Sequence, residues 1–155
     1  MSANSLNAVQ LLIAAGFRAS NLTIVTALPS NSPYGTDLFG WTDLDPAMVE
    51  VGGNPVLIQA CARRLITPRG AQIDDANYGY DIEQWLGADV SAADVAQIQV
   101  QIQQELLKDE RVLSCTAALT FTEDTIVANV QVTGANGPFT FTLTIGELAA
   151  TIVTG

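Results

Sequence analysis

The chain has 155 residues, 48% of them hydrophobic, and a net charge of −10 from sixteen acids against six Lys and Arg, with no His. That length suits one domain, with or without an appended arm, and the apolar content suffices for a real core. The charge disfavours nucleic acid and anionic membranes, argues less strongly against polyanionic cell-wall substrates, and the lack of His removes His-dependent triads and His metal sites.

Residues 1–37 read as an N-terminal arm. Leu6, Val9, Ile13 and Phe17 recur at helical spacing, with Asn4 or Ser5 as cap and Gly16 near the stop. "NLTIVTALP" can be extended, and Pro33 and Gly35 then break regular structure. Two readings stand side by side: a helix folded back on its own domain, or one docked on a partner. The apolar run near the start has no positive flank and is too short to span a bilayer, so the expectation is a chain that stays in the cytosol until it assembles.

The domain proper is expected over 38–155. Gly40–Pro55 reads as loop. Asn54-Pro55 is a good helix start, Asn as cap and Pro at the first helical position. The helix that follows places Leu57, Ile58, Cys61 and Leu65 on one side, with Arg63 and Arg64 in its last turn, where cations complement the dipole. Tyr80–Gly87 is a short helix with Ile82, Trp85 and Leu86 inward. A longer helix begins at Ser91, which forms a capping box with Asp94. Its stripe is Val95, Ile98, Ile102 and Leu106, with glutamines on the other face.

After Arg111 the period changes from helical to alternating. Leu113, Cys115, Ala117, Leu119 and Phe121 share one face of a strand, and Glu123-Asp124 makes a turn. Ile126, Ala128, Val130 and Val132 share the next, and Phe139, Phe141, Leu143 and Ile145 the third. "LAATIV" supplies a fourth short strand. The predicted class is therefore α+β, with helices packed on one face of a C-terminal antiparallel sheet. Cys61 and Cys115 match no zinc spacing and read as small buried hydrophobes in a reducing compartment.

Candidate chemistry is sparse. A glycosidase needs two carboxyls across a cleft. Asp81 and Glu83 would diverge on a helix, while Asp74 and Asp75 sit in turn sequence, where Asp is common for local reasons. "VGGNP" lacks the lysine and the preceding strand of a phosphate loop. No catalytic, cofactor-binding or metal residue is assigned. One feature does stand out. Arg63, Arg64 and Arg69 gather half the positive charge at one bend, with Asp74, Asp75 and Asp81 close behind. They can serve a docking corner or pair internally with those acids.

An apolar helix ending in Arg64-Leu65-Ile66, then Thr67-Pro68-x-Gly70, then Tyr78-Gly79, then a short helix, a long helix, an acid-rich junction ending in Arg and an antiparallel sheet resembles the gene 25-like baseplate wedge family of contractile phage tails, with relatives in type VI secretion. The resemblance covers Gly35 to about Ile152. The family's Glu-Pro-Arg signature is matched by Asp109-Glu110-Arg111, without the proline. Ala71 and Gln72 stand where the family often has Glu and Arg.

The resemblance implies a non-enzymatic structural wedge subunit, present in multiple copies in a sixfold baseplate. Such a subunit is assembled in the host cytoplasm and located in the virion tail. It docks on larger wedge proteins and helps initiate sheath assembly by strand addition at a sheet edge. The implied partners are those wedge proteins and the tail sheath protein, with no nucleic acid, membrane or cofactor. The implied partner-binding residues are Arg63, Arg64, Arg69, Asp109, Glu110 and Arg111, and Leu148, Ala150 and Ile152 at the last strand. That strand is expected to leave an open edge, carrying no Lys or Pro to blunt it. The alternative is a peptidoglycan-degrading, lysozyme-like hydrolase.

Overall fold

A computed structural model describes residues 33–40, 48–146 and 149–154. The predicted helix at Leu6–Phe17, the extended segment after it and Leu148 lie outside the described residues. Two short strands, β1 (Thr36–Leu38) and β2 (Glu50–Gly52), pair antiparallel. Helix α1 (Asn54–Ile66) follows, then a 3-10 turn at Ile82–Trp85 and helix α2 (Ala92–Leu106). Four consecutive strands then form one antiparallel meander in the order β3-β4-β5-β6 (Val112–Phe121, Thr125–Gly134, Gly137–Gly146, Ala149–Thr154). The α+β expectation holds.

The expected alternation sets the inner face of the sheet. Ile126, Ala128, Val130 and Val132 of β4 and Phe139, Phe141, Leu143 and Ile145 of β5 are all buried. Ile98, Ile102 and Leu106 of α2 are fully buried, and α1 contributes Leu57, Cys61, Ala62 and Leu65. Each large aliphatic or aromatic side chain removed from water in this way adds about 1.5–3 kcal/mol of driving force. Burial also pushes the Cys61 thiol up to about 12, so it packs as a hydrophobe.

The capping box forms as expected. Ser91 Oγ accepts from the Asp94 N–H at 3.3 Å, and Asp94 Oδ2 accepts from the Ser91 N–H at 3.0 Å.

Four details differ from the sequence reading. The 40–55 stretch is not all loop, because Glu50–Gly52 pairs with Thr36–Leu38. That pairing also puts the boundary at residue 37 inside β1. Asn54 is not the cap of α1: Gly53 occupies that position at φ 71, in the left-handed region that glycine tolerates, and Asn54 is the first helical residue. Leu113 does not share the buried face of β3. The register shifts between Val112, opposite Gly134, and Ser114, opposite Thr133, and this irregularity turns Leu113 out to 67% exposure. From Cys115 onward the expected alternation resumes.

The irregularity makes a sharp prediction. Leu113→Ser should change unfolding stability by less than about 0.5 kcal/mol, as surface substitutions do. Leu143→Ala, at a fully buried position, should cost about 2–5 kcal/mol. Urea denaturation of the two variants measures the contrast.

Candidate functional site

The most concentrated chemistry of the described residues is built around Glu105. It sits on α2 seven residues after Ile98 and three after Ile102, so the helical period carries it into the buried stripe. Its side chain is 1% exposed. Arg64, in the last turn of α1, donates from Nη1 to Oε1 at 3.1 Å, and the Gly79 N–H donates to the same oxygen at 3.1 Å. Arg69 donates from Nη2 to Oε2 at 2.8 Å, and Lys108 donates from Nζ to Oε2 at 2.6 Å. Two donors on each oxygen use the roughly four acceptor directions a carboxylate has.

The 67–81 segment is wrapped onto this carboxylate by further bonds. Arg69 Nε donates to the Gly79 carbonyl at 3.2 Å and Lys108 Nζ to the Asn77 carbonyl at 2.9 Å. The Tyr80 N–H reaches back to Arg64 O and the Asp81 N–H to Thr67 O. Gly79 has φ +100, and a Cβ there would overlap the Thr67 carbonyl oxygen, so the close return of the chain needs glycine. Three cations on one carboxylate leave a positive excess. Arg69 and Lys108 keep 54% and 40% of their side chains in water, and Arg64, only 13% exposed, lies 4.3 Å from the centre of the Tyr78 ring.

The arginine cluster thus divides. Arg64 and Arg69 pair internally, but with Glu105 and not with Asp74, Asp75 or Asp81. Asp75 accepts from the Asn77 N–H, a local turn bond, and Asp74 is exposed. Arg63 turns the other way. It bonds Gly40 O at 2.6 Å and Asp37 Oδ2 at 3.1 Å, fastening β1 to α1. That pair is about one-third to two-fifths exposed, where an ion pair contributes about 0–1 kcal/mol.

At the junction between α2 and β3, Asp109 and Arg111 form a two-toothed pair: Nε to Oδ1 at 2.9 Å and Nη2 to Oδ2 at 2.7 Å. Oδ1 also accepts the Arg111 N–H at 3.0 Å, and the Val112 N–H bonds Asp109 O. This closes the bend through a side chain at the place where the resembled signature has proline. Glu110 beside it is exposed. The hydrogen bond from Arg111 holds the Asp109 carboxyl below its ordinary value, against the opposing effect of burial.

An open concavity of about 580 Å³ adjoins Glu105, lined among others by Arg69, Tyr80, Gln84, Gln101, Gln104 and Lys108. Tyr80 Oη donates to Gln101 Oε1 across its wall. Glu105 presents no unused oxygen direction toward it, so the geometry is that of a clamp on a loop. No cluster of metal-ligating residues occurs among the described residues. Of the implied β6 residues, Ile152 is half-buried and packs on the core, and the backbone of Ala150 pairs with Ile145. No family model matches this chain, and no curated protein matches it.

Two expectations follow. Glu105→Gln leaves three cations facing an amide, and removing one partner of a buried charge cluster costs about 3–5 kcal/mol. The variant should lose stability on that scale in denaturant and become protease-sensitive within 67–81. The second concerns acid. A carboxyl whose folded pKa is depressed contributes stability above its unfolded value and loses it as pH falls through the folded one. The acid limb of the stability curve should therefore flatten, below about pH 4, in Asp109→Asn.

Proposed function

We propose that this protein is a non-enzymatic structural subunit of a contractile-tail baseplate wedge. In this reading it docks on larger wedge proteins and offers a sheet edge on which sheath assembly starts. One observation carries the reading. The pieces that resemble the gene 25-like family, scattered along the sequence, come together as a single unit. The Thr67-Pro68-x-Gly70 bend and Tyr78-Gly79 are drawn onto the long helix by Glu105, and the Asp109–Arg111 pair turns that helix into the sheet.

Supporting features are two. First, β6 ends the strand order among the described residues, so within them its outer backbone groups are those of an edge, and an extended segment of a partner can pair there. Second, the conspicuous carboxylate, Glu105, has its oxygens occupied by protein donors, which favours architecture over hydrolysis. Arg69, half in water above the concavity, is the arginine of the cluster best placed to meet a wedge partner as well as Glu105.

Ala150→Pro removes one donor from the edge strand. Tails assembled with that variant should carry baseplates without full-length sheath, while the isolated subunit melts within a few degrees of wild type. Normal sheath polymerisation on the variant baseplates would reject the strand-addition role.

A further inference from the structure

We propose that the concavity beside Glu105 is a receptor for an acidic side chain, Asp or Glu, carried on a segment of a partner protein, which rests on the reading of this chain as an assembly subunit. The Arg69 guanidinium engages the clamp by one edge. Nε donates to the Gly79 carbonyl at 3.2 Å and Nη2 to Glu105 Oε2 at 2.8 Å, and these two donors lie side by side on the group. The other edge, Nη1 with the second Nη2 hydrogen, has no acceptor among the described residues, and the side chain is 54% exposed. What remains is a fork of two parallel N–H donors, which a carboxylate meets with both oxygens. Lys108 spends two of its three donors on Glu105 Oε2 and the Asn77 carbonyl, and keeps one at the same concavity. The clamp already holds both cations in place, so little side-chain freedom is lost when an anion arrives. On a chain of net charge −10 this is a local positive spot.

The rest of the lining selects a peptide segment over a free anion. Asp81 is the one acid of the wall besides Glu105, and its carboxylate accepts no hydrogen bond from the described residues. It repels an anion that comes alone. A peptide segment instead brings backbone N–H groups beside its own carboxylate, and one of these can meet Asp81. Gln101 and Gln104 share a row of α2 with Lys108, at spacings of three and four. Tyr80 Oη donates to Gln101 Oε1 at 2.8 Å, which leaves the Nε2 donors of that amide for a carbonyl. Gln104 is exposed and offers both a donor and an acceptor. The wall therefore presents a cationic fork for the side chain and amides for the backbone of one short segment.

Titration of the full, isotope-labelled chain with the capped tripeptide acetyl-Ala-Glu-Ala-amide at fixed ionic strength, followed through the Arg69 Nε–H resonance, tests this. The expected result is a saturable shift with a millimolar dissociation constant, and no such shift with acetyl-Ala-Gln-Ala-amide. Gln104→Glu sets a second acid on the wall, within reach of Lys108, without removing a clamp bond. It should weaken the tripeptide at least about tenfold at an unchanged melting temperature. Arg69→Gln removes the fork together with one clamp bond and should weaken it as much; where that variant fails to fold, Gln104→Glu carries the test. Absence of saturation, an equal response to the glutamine tripeptide, or indifference to Gln104→Glu overturns the proposal. So does inorganic phosphate binding more tightly than the glutamate tripeptide, since the site would then belong to a small anion. These outcomes are independent of sheath assembly in the Ala150→Pro variant, by which the wedge reading stands or falls.

Discussion

A carboxylate buried to 1% exposure organises half of this molecule. Placing Glu105 in an apolar stripe carries a large desolvation cost, which is tolerable only when every oxygen direction is met. The four donors come from the end of α1, the return of the following loop and the next turn of α2 itself. The position of α1 on α2, the path of residues 67–81 and the need for glycine at 79 all follow from satisfying that one group. The sheet, by contrast, holds by area: it is apolar on the inner face and mostly hydroxyl and amide on the outer.

The two regions are joined by a second, smaller charge arrangement. Asp109 and Arg111 fold a carboxylate, a guanidinium and a backbone N–H into one closed turn between α2 and β3. A proline would restrict that bend through its ring; here side-chain bonds do it. The helix thereby delivers Glu105 to the loop on one side and β3 to the meander on the other. In the wedge reading this is the natural division of labour, with a rigid corner at one end and an available edge at the other.

Much of this was legible from sequence where the signal is local. The capping box at Ser91, the stripe of α2 and the alternation along β4 and β5 each need only neighbours within a few residues. Glu105 was legible in principle, since a lone acid at the spacing of Ile98 and Ile102 belongs to the core side. Its donors were not, because Arg64 and Arg69 stand 41 and 36 residues earlier. The acids nearest in sequence to the arginines were the natural partners to name, yet proximity along the chain put them in a turn that faces water. The strand at Glu50–Gly52 was missed because three residues carry no period and its partner lies upstream of the helix. Leu113 fits its strand pattern and still faces out, since a register irregularity leaves no mark on alternation.

The meander has a consequence for how the chain reaches this state. Each strand pairs with the one just before it through a connection of two or three residues, so the sheet closes only small loops as it forms, and each costs little chain entropy. Apart from Lys108 on the next turn, the Glu105 clamp must instead bring together groups 26 to 41 residues apart before their bonds can compensate. The C-terminal half is thus the part of the landscape with local, mutually supporting contacts. The charged corner is the kinetically expensive closure laid upon it.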